Sequence, residues 1–283
     1  GRGREMDFRV SVLPTLYGEK VVLRLLDKSN LQLDMTKLGF EQDALDNFQH
    51  GIHQPYGMVL VTGPTGSGKS TLLAAGNRML LERGCGKMLT YEAPIEFIYD
   101  NVRSNRSLVA QSEIPRHLPS FAAGVRNALR RKPEIILVGE ARDRETMSAA
   151  IEAGQTGHTV YATVHTTGVA ATIRRMVSTF EPSERSERAY SLVETLRMIV
   201  TQTLAPKIGG GRVGLREWLV FTEEIRERLL NMDFDRWSYE VMQLVRTEGR
   251  TMEESARLAY ERGEIAERHY MAYVQSNKYR TKD

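Results

Sequence analysis

A glycine-rich segment between an apolar run and a helix-forming run restricts this chain to a small set of folds. The segment reads Gly63-Pro64-Thr65-Gly66-Ser67-Gly68-Lys69-Ser70-Thr71. It follows the apolar run Met58 to Thr62, which predicts a buried strand, and precedes Leu72-Leu73-Ala74-Ala75, which favours a helix. The spacing of its glycines, lysine and serine satisfies the P-loop pattern in full. A strand, a P-loop and a helix in this order predict an α/β fold with a phosphate-binding turn at the edge of its sheet.

The residue types in this loop fit a nucleotide. Glycines let backbone N–H groups point inward around phosphates, and the dipole of the following helix favours negative charge there. Lys69 is expected to neutralise the β and γ phosphates, and Ser70 is expected to ligate Mg²⁺. The alternative is an ordinary glycine-rich turn before a helix, which the flanking strand and helix disfavour. We therefore predict ATP and Mg²⁺ as ligands of this loop.

Short apolar runs alternate with helical patterns through the middle of the chain. The runs predict four strands, at Met58 to Thr62, Lys87 to Tyr91, Glu134 to Val138 and His158 to Val164. Helices separate most of them, including one from Ser120 to Arg131, which Ser120 would cap and Pro133 would end. A further helix is expected around Glu41 to His50. This alternation is typical of a parallel α/β sheet.

The two ends of the chain differ from this pattern. Phe8 to Leu26 alternates apolar and polar residues around a turn, which predicts a β-hairpin that would end a domain beginning before residue 1. Beyond Pro206, a predicted strand at Arg212 to Phe221 is followed mostly by helical segments, which could be a DNA-reading helix pair or a packing subdomain. The few basic side chains of the last helix favour packing. We expect three regions, at 1–33, 34–206 and 207–283.

Composition and charge limit the partners of the chain. Its 283 residues carry 39 Lys and Arg against 36 Asp and Glu, a net charge of only +3, which argues against direct nucleic-acid binding. The single cysteine excludes a disulfide framework and a four-cysteine zinc site, and it fits a reducing compartment. No apolar run approaches the roughly 18 residues of a membrane span. We therefore expect a cytoplasmic protein that reaches a membrane only through partners.

A second acidic position follows a strand that reads as buried. After the apolar run Ile135 to Val138 come Gly139 and Glu140, so Glu140 would emerge where ligands of open α/β sheets bind. Glu140 could hold Mg²⁺ through water or polarise the attacking water itself. The alternative is that it caps the next helix, for which Asp143 is the better candidate.

Two more carboxylates leave the sheet at the same edge. In Tyr91-Glu92-Ala93-Pro94-Ile95-Glu96 the proline removes a ladder donor and ends the preceding strand, so Glu92 would lie beside the P-loop and Glu96 on the loop beyond. A carboxylate there can orient the water that attacks the γ phosphate. The alternative is a pair of solvated loop acids.

Two histidines flank the last predicted strand of the central region. His158 and His165 are seven residues apart, which puts them on opposite faces of a continuous strand and disfavours a shared metal. One or both could sense the γ phosphate, whereas a lone histidine is more often structural.

Together these motifs resemble those of the secretion and pilus ATPase superfamily. The P-loop, the acidic box Glu92 to Glu96, the Gly139 to Asp143 strand end and the histidine box Thr156 to Thr166 occur in the family's order. The resemblance implies a RecA-like P-loop NTPase core with a C-terminal helical subdomain and an N-terminal β-hairpin that ends a PAS-like domain. It also implies an ATP hydrolase that assembles as a homohexamer and binds ATP between the N-terminal domain and the core.

The same resemblance assigns roles to individual residues. Glu140 matches the Walker B glutamate, and Glu96 is the preferred catalytic glutamate of the acidic box, with Glu92 beside it. His158 and His165 match the histidine-box pair. The segments around Arg9 and Arg24 resemble the family's N-terminal domain, whose arginines reach the nucleotide. The partners implied are proteins of an inner-membrane secretion complex, which would recruit the chain peripherally.

Departures from the family pattern indicate which branch of the family this chain resembles. Ala93 stands where the family has aspartate, the chain lacks the cysteines of a tetracysteine domain, and residues 223–228 read Glu-Glu-Ile-Arg-Glu-Arg instead of the Ala-Ile-Arg-Asn motif of pilus retraction motors. This combination looks most like the ATPases of type IVB secretion and conjugation. A pilus retraction motor, a RecA-like nucleic-acid translocase and a nucleotide-gated scaffold remain open as well.

Overall fold

A computed structural model describes residues 7–26, 42–52, 54–99 and 106–280 of the chain. For residues 7, 9, 24–26 and 276–280 it describes the backbone alone. Glu41, the first residue of the predicted helix, lies outside the described residues, as do 1–6 and 27–33 of the predicted N-terminal region and 281–283 of the C-terminal one.

The strands form one large sheet and a separate hairpin. The hairpin pairs β1 (Asp7–Thr15) with β2 (Gly18–Leu26), as the alternation predicts. The seven-stranded sheet has the order β5-β4-β6-β7-β3-β8-β9, and only the β8–β9 pair is antiparallel. Its strands are β3 (Gly57–Thr62), β4 (Gly86–Glu92), β5 (Ser107–Glu113), β6 (Ile135–Val138), β7 (Thr159–Val164), β8 (Leu196–Pro206) and β9 (Arg212–Val220). The predicted α/β class with a parallel sheet is confirmed.

Apolar layers cover both faces of this sheet. Every residue of β3, β6 and β7 is buried, which is why these strands read as continuous apolar runs and not as alternating ones. Along β3, Met58 and Leu60 face one layer, while Val59 and Val61 face the other. The four central strands predicted from the sequence are therefore observed, with ends that differ by one residue or less.

Helices supply the two layers. The first layer contains α1 (Gln42–Ile52) and α2 (Lys69–Arg83). The second contains α3 (Phe121–Leu129), α4 (Arg144–Gln155), α5 (Val169–Ser178), α6 (Arg185–Thr195), α7 (Glu223–Leu230) and α8 (Trp237–Thr247). Ser120 caps α3 by accepting a hydrogen bond from the backbone N–H of Ala123 at 3.1 Å, as predicted. In the part of the chain that the structure describes, no helix is long and apolar enough to cross a membrane.

The C-terminal helices pack on the far end of the β8–β9 hairpin. Thr251 caps α9 (Met252–Glu261), and α10 (Glu267–Arg280) follows it. Ala256 and Ala259 of α9 join Ala205, Val213 and Leu215 of the hairpin in a small apolar cluster of their own. The predicted helical C-terminal part is thus present, and it is joined to the central sheet through β9.

Two strands of the sheet carry no clear sequence signal. β5 is an edge strand whose second half, Gln111-Ser112-Glu113, is polar. β8 begins at Leu196 directly after α6 ends at Thr195, so no glycine or proline marks the change from helix to strand. Both strands contribute residues that hold the site described below.

Candidate phosphate-binding site

The P-loop connects β3 to α2 at the carboxyl edge of the sheet. Gly66 and Gly68 have φ angles of 79° and 81°, in the left-handed region that glycine adopts without strain. Gly68 is also the residue before α2, and no side chain caps the first N–H groups of this helix. These N–H groups and the positive end of the helix dipole are suited to binding an anion.

Lys69 lies at the centre of the site. Its side chain is buried, and its ammonium donates hydrogen bonds to the carbonyls of Gly63 at 2.6 Å and Pro64 at 2.9 Å. Burial lowers the pKa of Lys69, and the negative charge of Glu140 acts in the opposite direction. The ammonium is therefore held against the loop at the place where phosphates would bind.

His165 connects Lys69 to Glu140. Its Nδ1 lies 3.3 Å from the Lys69 ammonium, and its Nε2 lies 3.4 Å from a carboxylate oxygen of Glu140. Burial, with Lys69 as the next contribution, lowers the pKa of His165, so the imidazole is neutral at pH 7. A neutral ring that accepts from Lys69 at Nδ1 carries its proton at Nε2 and can donate it to Glu140.

Glu140 does not cap the next helix, because another carboxylate has that role. Asp143 accepts a hydrogen bond from the backbone N–H of Thr146 at 2.9 Å at the start of α4. The glycine before Glu140 also has a structural reason. A Cβ at Gly139 would lie 3.0 Å from the carbonyl oxygen of Tyr91 and 3.1 Å from the Cα of Glu92, so a side chain there would require this backbone to shift slightly.

The acidic box faces the start of α2 across a small cavity. Ser70, Glu92 and Glu96 are among the residues that line this cavity of about 70 Å³. Glu92 accepts hydrogen bonds from the Thr90 hydroxyl at 2.8 Å and the Gln111 amide at 3.2 Å. Among the described residues, Glu96 has no hydrogen-bond partner. The structure thus brings both glutamates to the P-loop. Glu92 is held by its two hydrogen bonds, whereas the carboxylate of Glu96 can accept a hydrogen bond from a ligand or a water molecule.

Residues of β5 that the sequence did not single out hold the acidic box in place. Gln111 donates to the carbonyl of Phe97 at 2.8 Å and accepts from the backbone N–H of Tyr99 at 3.1 Å. Glu113 accepts from the backbone N–H of Ile95 at 3.1 Å. These contacts join an edge strand to a loop that precedes it in the sequence, and no local pattern predicts them.

Replacing Glu92 by glutamine is expected to raise the melting temperature near neutral pH. Burial raises the pKa of Glu92 above its ordinary 4.5, although the hydrogen bonds from Thr90 and Gln111 act in the opposite direction. A carboxyl with a raised folded-state pKa stabilises the fold below its unfolded pKa, and this contribution is lost as the pH rises through the folded pKa. Thermal melts of both proteins should therefore show a gain at about pH 7.5 that shrinks towards pH 4.5. A gain that does not change with pH would contradict this cause.

The structure does not bring every predicted residue to this place. His158 lies just before β7, and its Nδ1 is 3.1 Å from the carbonyl of Ala153 and 3.1 Å from the Thr156 hydroxyl. Because His165 follows the other end of β7, the two histidines are separated by the strand length of roughly 20 Å. Arg9 and Arg24 are directly opposite each other in the hairpin register, and their side chains are not among those described. The roles of these three residues stay predictions.

The residues at this edge fit a Mg²⁺-bound polyphosphate. Among the described residues, the buried hydroxyl of Ser67 has no hydrogen-bond partner inside the loop. Together with the Lys69 ammonium and the uncapped N–H groups of α2, this hydroxyl provides donors for phosphate oxygens. Ser70 and the nearby carboxylates offer the oxygen ligands that Mg²⁺ prefers.

Comparisons with known proteins identify the family of this chain. The family described as "Type II/IV secretion system protein" matches residues 2–210. The type IV pilus assembly ATPase PilB of Myxococcus xanthus is 44% identical over 212 residues, which are 74% of this chain and 34% of PilB. The chain therefore spans about a third of the length of that curated relative.

Solved structures are similar over nearly the whole chain. The structure of the ATPase DotB from Legionella pneumophila has a TM-score of 0.88 and 44% identity, and the match covers 98% of this chain and 75% of the DotB chain. The pilus retraction motor PilT, solved with bound ADP, has a TM-score of 0.80 and 33% identity, over 94% of this chain and 73% of the PilT chain. The resemblance inferred from the sequence motifs is confirmed, and the chain belongs to the family of type II/IV secretion system proteins.

Proposed function

We propose that this chain hydrolyses ATP with Mg²⁺ and is the hexameric motor of a type IVB secretion or conjugation system. The observation that carries the proposal is the convergence of separate segments on one edge of the sheet. Lys69 and Ser70 of the P-loop, Glu140 after β6, His165 after β7 and the acidic box after β4 all lie there. Further support comes from PilB and DotB, which are named ATPases, and from PilT, which was solved with ADP.

Binding of the phosphates would rest on the P-loop. The Lys69 ammonium would exchange the carbonyls of Gly63 and Pro64 for phosphate oxygens, and the first N–H groups of α2 would donate to the same phosphates. Ser70, and Glu140 through water, would hold Mg²⁺, which when bound neutralises charge on the β and γ phosphates.

The attacking water would be oriented by the acidic box. Glu96 lines the cavity beside Ser70 and has no protein partner among the described residues, so its carboxylate can accept a hydrogen bond from water. The water oxygen would attack the γ phosphorus while the bond to the bridging oxygen breaks, so that ADP and inorganic phosphate leave and Glu96 accepts the proton lost by the water. Glu92, engaged by Thr90 and Gln111, would shape the loop that carries Glu96.

His165 would respond to the γ phosphate. The lysine that contacts the imidazole is the same lysine that a γ phosphate would attract. A phosphate that draws the Lys69 ammonium away would release Nδ1, so the hydrogen bonding between His165 and Glu140 would depend on the nucleotide. His158, at the far end of β7, would act elsewhere in the same histidine box.

Domain motion is the part of the proposal that rests on the family resemblance. Arg9 and Arg24, adjacent in the hairpin register, would contact the γ phosphate in a closed state and release it after hydrolysis. The division of the chain into regions 1–33, 34–206 and 207–283 belongs to this proposal. The chain would be recruited peripherally by proteins of an inner-membrane secretion complex.

The choice of the type IVB branch rests on the sequence departures and on the similarity to DotB. The acidic box has Ala93 in place of aspartate, and α7 lacks the motif of retraction motors. The relatives that match at similar identity include pilus ATPases, so a pilus retraction motor is the second candidate.

Native mass spectrometry is expected to detect six copies of the chain when Mg²⁺ and ATP are present. The reason is that nucleotide bound between mobile regions favours one arrangement of each subunit and hence a closed ring. The same sample without nucleotide should contain smaller species. A chain that stays monomeric at saturating ATP would contradict the hexamer and leave the assignment of the phosphate site untouched.

A phosphate-release assay separates the secretion motor from a nucleic-acid translocase and from a nucleotide-gated scaffold. Turnover with Mg²⁺ and ATP that does not change when double-stranded DNA is added supports the secretion motor. Turnover stimulated several-fold by DNA would favour the translocase. Tight ATP binding without release of phosphate would favour the scaffold.

A further inference from the structure

A glutamine of β8 contacts the P-loop directly. The Gln202 amide nitrogen donates a hydrogen bond of 2.7 Å to the carbonyl of Ser67, at the middle of the loop. Gln202 is buried, so water does not compete for this bond. Ser67 and Gln202 are 135 residues apart in the sequence, and the contact exists only because β8 pairs with β3 next to the loop.

Two P-loop glycines permit this close approach. A Cβ at Gly63 would lie 2.2 Å from the carbonyl oxygen of Gln202, and a Cβ at Gly68 would lie 2.7 Å from its side-chain nitrogen. A side chain at Gly63 would force the backbones of the loop and β8 apart, and one at Gly68 would displace the end of the Gln202 side chain. The glycines therefore allow the loop to contact Gln202 as well as to bind phosphate.

The buried Arg216 fixes the orientation of the Gln202 amide. Arg216 is the cross-strand partner of Gln202 on β9, and its Nε donates a hydrogen bond of 2.8 Å to the amide oxygen. Burial lowers the pKa of Arg216 to about 10, so the guanidinium remains charged at neutral pH. A guanidinium only donates hydrogen bonds, so the amide oxygen must face Arg216 and the amide NH₂ must face Ser67.

We propose that Gln202, oriented by Arg216, is a positioning residue for the phosphate-binding loop. It fixes the loop before nucleotide arrives, so binding orders fewer groups and the affinity is higher. The proposal rests on the function proposed above, because the loop is taken to bind the phosphates of ATP.

The sharpest variant is Gln202→Glu. A carboxylate at this place can still accept the hydrogen bond from Arg216, but it cannot donate to the Ser67 carbonyl. We expect the Kd for Mg²⁺-bound ATP to rise about ten-fold, equivalent to about 1.4 kcal/mol, with a melting temperature close to that of the unchanged protein. Without nucleotide, hydrogen exchange should quicken at the amides of Gly63 and Ser67, which the structure shows hydrogen-bonded.

Ser255→Ala is the matched control. The Ser255 hydroxyl is also buried and accepts a hydrogen bond of 2.9 Å from the backbone N–H of Arg216, but it does not contact the loop. This variant should lower the melting temperature and leave both the exchange of the loop amides and the Kd unchanged. If it loosens the loop as much as Gln202→Glu does, general destabilisation is the cause and the proposal is overturned.

A second variant serves as the test if Gln202→Glu does not fold. Gln202→Met keeps the length of the side chain and removes both hydrogen bonds, so it should also quicken exchange in the loop. Unchanged exchange in whichever Gln202 variant folds would overturn the proposal. The exchange experiment uses no nucleotide, so it tests the positioning of the loop even if the unchanged protein does not bind ATP. A lack of ATP binding by the unchanged protein would contradict the proposed function and not the positioning role of Gln202.

Discussion

Replacing Lys69 by alanine is expected to lower ATP turnover by about 100-fold or more. The Lys69 ammonium is the buried cation of the site, and it lies within hydrogen-bond reach of two loop carbonyls and of His165. Its charge would be needed most in the transition state, when negative charge shifts towards the leaving phosphate oxygens. Steady-state phosphate release at saturating Mg²⁺ and ATP measures the loss.

Lys87→Ala is the control for this experiment. Lys87 is a lysine of β4 whose ammonium donates to the carbonyl of Arg131, near the opposite edge of the sheet. Its removal should leave ATP turnover within about two-fold of that of the unchanged protein, as expected for a solvent-accessible charge away from the site. If Lys69→Ala retained full turnover, the P-loop would not be the site of hydrolysis.

Replacing Glu96 by glutamine is expected to lower the rate of the chemical step about 100-fold while ATP affinity changes less than about two-fold. The amide keeps the size of the side chain but is a poor acceptor for the proton of the attacking water. Glu96 lines the cavity next to Ser70 and has no protein partner among the described residues, so its loss should not disturb the loop. Single-turnover kinetics combined with titration of a fluorescent ATP analogue separates rate from affinity.

The comparison with Glu92→Gln decides which glutamate acts on water. Glu92 is committed to Thr90 and Gln111, so its amide variant should lose less activity than Glu96→Gln. A larger loss at Glu92 than at Glu96 would reverse the roles of the two glutamates. Equal affinity in both variants would show that the nucleotide site itself is intact.

Much of the fold follows from local patterns. The central strands are recognisable because a strand buried on both faces must be apolar throughout, as β3, β6 and β7 are. Ser120 and Thr251 mark helix starts because their side chains accept from N–H groups three residues later. The rule that ligands bind at the carboxyl edge of a parallel sheet was enough to place Glu92, Glu96 and Glu140 at the same edge of the sheet.

The missed elements lack such patterns. Edge strand β5 is half-buried and carries polar side chains that bond to the acidic box, and β8 begins without a turn after α6. Gln111 and Gln202 are single glutamines in these strands, and only their tertiary partners distinguish them from surface residues.

Local patterns identify the P-loop, the parallel sheet and the family, because each motif consists of residues that are close together in the chain. Long-range packing determines which groups hold the P-loop and which carboxylate beside it has no protein partner among the described residues. Gln202 reaches Ser67, and His165 reaches Lys69, because β8 and β7 lie on either side of β3 in the sheet. Strand order is set by the packing of the whole core, and no short segment encodes it.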